Sequence, residues 1–310
     1  MEFSSRAELA RAVTEVERDT AAGRRLLEDA ANVEPYIVGW TGPAGAGKST
    51  LLSAVLKAKR RSDPQYRAAV LAVDPTSPRS GGAVLGDRIR MEDLSLDEGF
   101  FIRSVPSRLM HGGLAPGVLR LARFLAASGF PDVHIETVGV GQGEVEIAGI
   151  AETTVVVLSP HTGDDIQALK AGLFESADLL VVNKSDISGS DRALGALEAA
   201  FSERKSGWEP PRVKVSARTG ENLDCLLDAL RRHRRYVEEC GKRARLASTR
   251  RVAEFNRLLE WELRDRLKES VLHGEISRRV SEGTLAPWDG VQRVLRGIFD
   301  GTARTEGEKK

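Results

Sequence analysis

The stretch Gly42-Pro43-Ala44-Gly45-Ala46-Gly47-Lys48-Ser49 constrains this chain more than any other, because it fits the pattern G-x-x-x-x-G-K-[ST] in the right setting. Residues 36–40 ahead of it form an apolar run that reads as a buried strand, and residues 50–57 behind it read as a helix. Gly42, Gly45 and Gly47 let the backbone bend so that several N–H groups face one anion, and the helix start adds its partial positive charge. Lys48 is expected to reach the β- and γ-phosphates, and Ser49 to hold Mg²⁺. Gly42, Ala44, Gly45, Ala46, Gly47, Lys48, Ser49 and Thr50 are the expected phosphate-binding set. A glycine-rich turn that matches by chance is the bland alternative, and it explains neither the strand before nor the helix after. The motif implies a nucleoside triphosphate site.

From residue 36 onward, strands alternate with helices. Apolar runs at 36–41, 68–73, 99–104, 132–137, 153–159, 177–183 and 212–216 predict strands, rich in Val, Ile and Leu as in a parallel sheet covered on both faces. Helical spacing fills 114–128, 164–174, 190–203 and 222–238. The expected fold is therefore α/β: a doubly wound, mostly parallel sheet with N- and C-terminal helical extensions. The predicted boundaries are a helical extension at 1–33, a nucleotide domain at 34–240 and a helical region at 241–310. The extension at 5–30 opens with Ser5 and Glu8 at capping-box spacing, and Gly23 is expected to divide it. Beyond residue 240, Phe255, Leu258, Leu259, Leu263 and Leu267 keep helical spacing with Trp261 beside them; a shorter helix is expected at 275–282, Pro287 opens another, and residues 302–310 are expected to fray.

Forty-six basic and forty-five acidic residues leave a net charge of +1, which argues against nucleic acid or an anionic membrane as the general partner. Two cysteines suit a reducing compartment, and neither a bilayer-spanning run nor a signal sequence is evident, so a cytoplasmic location is expected. Residues 230–251 hold nine basic side chains against Glu238 and Glu239. A solvated helix face is the plain reading of that run, a docking surface for an acidic partner is a second, and nucleic acid a distant third.

Asn183-Lys184-Ser185-Asp186 follows the apolar run 179–182 and has the form N-K-x-D. An aspartate placed like Asp186 accepts from the ring N–H and exocyclic amino group of guanine, a pair that adenine does not present. Asn183 and the Lys184 stem are expected to flank the base, and Ser216-Ala217-Arg218 to offer a backbone N–H to its carbonyl. Three motifs in this order favour GTP and GDP over ATP. Mg²⁺ wants hard oxygen ligands, and the candidates besides Ser49 are Asp74, Asp87 and Glu136. Asp74 also suits an Asp-Pro turn and Asp87 a loop cap. Glu136-Thr137-Val138-Gly139 resembles a D-x-x-G switch with glutamate in the acidic place. Val140 stands where Ras-like enzymes carry a water-orienting glutamine, and the nearest amide is Gln142, so slow intrinsic hydrolysis is expected, with Lys48, Glu136 and Gln142 as catalytic candidates.

Taken together, Val73-Asp74-Pro75-Thr76-Ser77-Pro78, the segment Gly81 through Met91 and Glu136-Thr137-Val138-Gly139-Val140-Gly141-Gln142 resemble the MeaB/MMAA/ArgK family of SIMIBI-class P-loop GTPases. The resemblance covers roughly residues 5 to 300. It implies a homodimer joined through C-terminal helices and a GTPase stimulated by an adenosylcobalamin-dependent acyl-CoA mutase. In turn the GTPase would gate cofactor loading from an adenosyltransferase and removal of damaged cobalamin, the cobalamin belonging to the mutase. It also implies a mobile coupling loop at 163–172, where Asp164 and Lys170 are switch candidates; on residue chemistry alone that segment is an acidic helix start. The segment 107–115 departs from the family's S-R-G-x-L-G-G, with Leu109 for the first glycine and His111 for the leucine, so His111 is not taken as a site residue. Competing functions are nickel insertion by a related GTPase, a kinase linked to amino-acid transport, and a nucleotide-switched binding module without turnover.

Overall fold

The computed structural model describes residues 1–74, 91–106, 116–137, 143–160, 176–200, 207–269 and 271–299. Among them, β1 (Tyr36–Thr41), β2 (Ala68–Asp74), β3 (Phe100–Pro106), β4 (Asp132–Thr137), β5 (Thr153–Leu158), β6 (Leu179–Val182) and β7 (Arg212–Lys214) form one sheet in the order β3-β2-β4-β1-β5-β6-β7. Every pairing is parallel. All seven strands lie on the predicted apolar runs. Residues of β5 such as Val155, Val156, Val157 and Leu158 are fully buried, which is why these strands are continuous rather than alternating in hydrophobicity.

The helices of the described residues are α1 (Arg6–Glu17), α2 (Ala21–Asp29), α3 (Lys48–Ser62), α4 (Glu92–Ser95), α5 (Pro116–Ala127), α6 (Gly143–Ile150), α7 (Ser190–Ala200), α8 (Leu223–Glu239), α9 (Lys242–Glu269), α10 (Val271–Ser281) and α11 (Pro287–Phe299). One face of the sheet is covered by α1, α5 and α6 through Val13, Val16, Leu121, Phe124 and Ile147. The other is covered by α3, α4 and α8 through Leu51, Leu52, Val55, Leu94, Leu226 and Leu230. The chain leaves β1 for β2 and β3 on one side, returns as β4 between β2 and β1, and then crosses to β5. That reversal opens a crevice at the carboxyl ends of β1 and β4, where ligands of open α/β sheets bind.

The N-terminal extension differs from the predicted division at Gly23. The break falls at residues 18–20, where Asp19 takes a left-handed φ of 57° and Thr20 caps α2 by accepting from the Gly23 N–H at 3.1 Å. Gly23 lies inside α2 because a Cβ there would sit 2.3 Å from the Glu15 carbonyl oxygen; it permits close approach of α1 and α2. At the start of α1, Ser5 Oγ accepts from the Glu8 N–H at 3.2 Å, while the Glu8 carboxylate reaches past it to Ser4 N and Oγ.

The basic run 230–251 is only partly a solvated face. Arg234 donates to Asp132, Lys242 to Asp178, Arg243 to the Glu34 carbonyl, and Arg250 to Glu152, whereas Arg231, Arg232, Arg235, Arg245 and Arg251 are exposed. Four of the nine cations thus anchor α8 and residues 242–250 of α9 within the first 250 residues.

The chain divides into two compact units, Met1–Arg250 and Arg251–Lys310. In the second, α10 and α11 pack through Ile276, Leu285 and Val294, and Pro287 opens α11 as expected. Val252, Phe255, Leu258, Leu259 and Leu263 on α9, with Trp288, Val291 and Leu295 on α11, are exposed. The helix expected at 164–174 and the tail 302–310 lie outside the described residues. Among the described residues, no helix is long and apolar enough to cross a membrane.

Candidate nucleotide site

The loop 42–47 joins β1 to α3. At Gly42, φ is 132° and a Cβ would lie 2.0 Å from the Val157 carbonyl oxygen, so only glycine lets the loop leave β1 alongside β5. At Gly45 (φ 77°) a Cβ would meet nothing within 4 Å, so this turn of the loop faces open space. Gly47 (φ 86°) precedes α3, whose N-terminus carries no side-chain cap, so its first-turn N–H groups point toward that space. Lys48 folds across the loop and donates from Nζ to the Gly42 carbonyl at 2.8 Å and the Pro43 carbonyl at 3.1 Å. Ala44 and Thr50 are exposed at the edges of the loop, and Ala46 is buried beneath it.

Asn183 and Lys184 follow β6 and reach this loop from the next strands over. Asn183 Nδ2 donates to the Ala46 carbonyl at 3.0 Å, and its Oδ1 accepts from Ala217 N–H at 3.1 Å. The buried Asn183 therefore ties the loop 42–47 to 216–218, and of the backbone N–H groups in that segment the one on Ala217 is donated to Asn183 here. Lys184 (φ 62°) lays its stem along the loop and donates to the Gly45 carbonyl at 2.7 Å. Ser216 Oγ donates to Asp186 Oδ1 at 2.6 Å and accepts from Thr219 N–H at 3.2 Å. That hydroxyl bond, with Arg218 and Lys184 nearby, holds the exposed Asp186 carboxyl below the usual carboxylate range, so it is ionised at neutral pH. Arg218 is exposed beside it.

Glu136 stands opposite Trp40 in the β1–β4 register, near the end of β1. Ser49 Oγ donates to Glu136 Oε1 at 2.6 Å, both residues being buried. A hydroxyl and a carboxylate converging at a helix start are hard oxygen donors of the kind Mg²⁺ takes, with water and phosphate oxygens completing its shell. Asp74 closes β2, whose preceding residue Val73 pairs with Thr137 of β4, so the structure places its backbone one strand away from Glu136. The side chain of Asp74, and residues Asp87, Val140, Gln142, Asp164 and Lys170, lie outside the described residues. No group of three or more His, Cys, Asp or Glu side chains gathers among the described residues.

A polar chain beneath the site escaped sequence reasoning. Trp40 Nε1 donates to His134 Nδ1 at 3.0 Å, His134 Nε2 meets the Tyr66 hydroxyl at 3.3 Å, and Tyr66 donates to Asp132 at 3.0 Å. The first of these bonds requires His134 Nδ1 to be bare, which makes Nε2 the protonated nitrogen. Burial, reinforced by Lys59, pushes the His134 imidazole down to about 3. Burial opposes the charge of Asp132, yet Lys59 and Arg234 outweigh it and hold that carboxyl below its ordinary value. The visible signal was Asp132 and His134 alternating with Val133 and Ile135 in a strand that is buried throughout.

Comparison with known proteins agrees with this geometry. Residues 9–271 match the family described as Methylmalonyl Co-A mutase-associated GTPase MeaB. A Pyrococcus abyssi protein whose name gives it as a candidate GTPase is 38% identical over 311 residues, covering 97% of this chain and 95% of its own. The mouse mitochondrial methylmalonic aciduria type A homolog is 32% identical over 271 residues, covering 84% of this chain and 65% of its own. Among solved structures, a LAO/AO transport system kinase superposes with a TM-score of 0.67 at 28% identity, over 95% of this chain and 93% of that one. A glycine-hinged loop of the P-loop pattern at the strand-order reversal, the N-K-x-D segment tied to it by Asn183, and these matches place the chain in the MeaB family of P-loop GTPases.

Proposed function

We propose that this chain is a GTP-hydrolysing chaperone that gates cofactor loading and protection of an adenosylcobalamin-dependent acyl-CoA mutase of the methylmalonyl-CoA mutase kind. The carrying observation is the Asn183 bridge, which holds the phosphate loop and the guanine-reading segment 216–218 at one end of one sheet. In this reading the first-turn N–H groups of α3 bind the phosphates, and Lys48 exchanges its loop carbonyls for the β- and γ-phosphates. Asp186 accepts from guanine while Lys184 covers the base. Ser49 and Glu136, with Asp74 and Asp87 as further candidates, would hold Mg²⁺, which when bound offsets negative charge on the phosphates. Gln142 orients the attacking water once the mutase repositions it, since Val140 cannot.

The family description supports a mutase client, and the mouse homolog, named for methylmalonic aciduria, fits a client of the methylmalonyl-CoA mutase kind. Exposed apolar side chains on α9 and α11 support a homodimer formed through the C-terminal helices. Asp164 and Lys170 are proposed to carry the signal from client to nucleotide, and an adenosyltransferase to supply the cofactor. A cytoplasmic site of action and the division at residues 33 and 240 belong to the same proposal. Phosphate release from GTP, measured alone and with candidate acyl-CoA mutases, tests it: stimulation by one mutase is expected. Nucleotide binding with no stimulation by any mutase would favour a binding module instead.

A further inference from the structure

The helix α6 begins at Gly143, directly after the switch segment 136–142, and runs only eight residues to Ile150. Ile147 presses into the space left by Gly39, where a Cβ would lie 2.6 Å from its Cγ1, so α6 is seated on the strand that feeds the phosphate loop. At the far end of α6 stands Arg250. Its Nε donates to the Ile150 carbonyl at 3.0 Å, and Nη2 donates to the same oxygen. Nη1 and Nη2 grip Glu152 Oε1 and Oε2 at 2.9 and 2.7 Å. Glu152 also accepts from the Ile37 N–H of β1 at 2.7 Å. Arg250 is 2% exposed and Glu152 0%, so solvent does not compete for this cluster. The other inward cations of α9 hold elsewhere: Lys242 on Asp178, and Arg243 on the Glu34 carbonyl. Arg250 alone among these three grips the switch-following helix.

We propose that Arg250 is a positioning residue that couples α6 to α9, so that a displacement of α6 between the GTP- and GDP-bound states is passed through Ile150 into the helix that continues to Glu269. The planar guanidinium suits this task, because four bonds in a fixed fork oblige it to follow both the carbonyl and the carboxylate. A flexible ammonium would not transmit the same movement. The proposal rests on GTP binding at the site described above.

The test is amide hydrogen exchange along residues 251–263 of the full-length protein, loaded with GDP or with a non-hydrolysable GTP analogue. In the unaltered protein, exchange there is expected to differ between the two nucleotides by about threefold or more. The double variant Glu152→Gln/Arg250→Met leaves no lone buried charge, and it should keep both nucleotide affinities within about threefold while abolishing that difference. Arg250→Lys, which keeps the charge without the fork, should reduce it, and serves if the double variant does not fold. Lys242→Ala, a purely anchoring loss on the same helix, should leave it intact. The coupling is overturned if the unaltered protein binds both nucleotides with identical α9 exchange, if the difference survives in the folded Arg250 variants, or if Lys242→Ala erases it equally. Failure to bind GTP at all would instead remove the proposed function.

Discussion

Ser49 Oγ donates to Glu136 Oε1 across 2.6 Å, joining the first turn of α3 to the end of β4 within one buried pair. Both oxygens are those the site would offer to Mg²⁺. Ser49→Ala and Glu136→Gln should each remove about tenfold or more of the Mg²⁺-dependent part of GTP affinity, about 1.4 kcal/mol. Binding in excess chelator should change far less. Glutamine retains the shape and an acceptor for Ser49 but not the charge, so it separates metal binding from packing. Calorimetric titration of GDP and a GTP analogue, with and without Mg²⁺, is the measurement; wild-type Mg²⁺ enhancement in both variants would refute the assignment.

Asp186 and Ser216 make a second separable pair. Asp186→Asn replaces an acceptor-only carboxylate with an amide whose NH₂ faces guanine donors. The two charge-assisted bonds lost are worth roughly 1.5–3 kcal/mol each, so GDP affinity should fall about 100-fold or more. Ser216→Ala removes the hydroxyl that is the largest influence lowering the Asp186 pKa. The acid limb of GDP binding should then move to higher pH in that variant, with affinity at neutral pH only modestly reduced. A pH titration of GDP affinity in which the limb does not move would disconnect Ser216 from the base site.

Much of this was legible from residues alone, for a physical reason. The phosphate loop needs glycine where φ is positive and where a Cβ would strike β5, so Gly42 and Gly47 announce themselves. Strands such as β5 and β6 are legible because parallel strands covered on both faces read as nearly continuous apolar runs. Contacts between distant segments leave no local pattern. Nothing near Asn183 shows that its amide ties two loops, and nothing near Arg250 shows that Glu152 lies 2.7 Å away. Gly23 misled for a related reason: glycine marks a helix break and a close helix crossing alike, and only packing tells them apart.

The buried His134 predicts a pH dependence of stability. Its folded pKa is pushed down to about 3, whereas an unfolded histidine titrates near 6.5. Between those values the unfolded chain binds a proton that the folded chain refuses, so stability falls as pH drops from about 6.5 toward 3. The slope from this group is at most about 1.4 kcal/mol per pH unit. Asp132 acts in a lower window: its depressed pKa contributes stability above the unfolded value near 3.9, lost as pH falls through the folded one. His134→Gln can still accept from Trp40 and donate to Tyr66, and should flatten the slope between pH 6.5 and 4 while leaving the lower acid transition. Urea unfolding across that range decides it, and an unchanged slope in the variant would show that His134 is not the titrating group.

Gly23→Ala sets two effects of opposite sign against each other. In an exposed helix interior, alanine in place of glycine stabilises by about 1 kcal/mol. Here the added Cβ would lie 2.3 Å from the Glu15 carbonyl oxygen and 2.8 Å from the Val16 nitrogen, backbone atoms that cannot move aside without parting α1 from α2. Overpacking of this kind costs about 1–3 kcal/mol, which offsets or exceeds the gain in helix propensity. The variant should therefore unfold at lower denaturant concentration than the unaltered protein, with GDP affinity unchanged because the nucleotide loops are built on other elements. A stabilised variant would mean that α1 and α2 do not cross as closely as Gly23 allows.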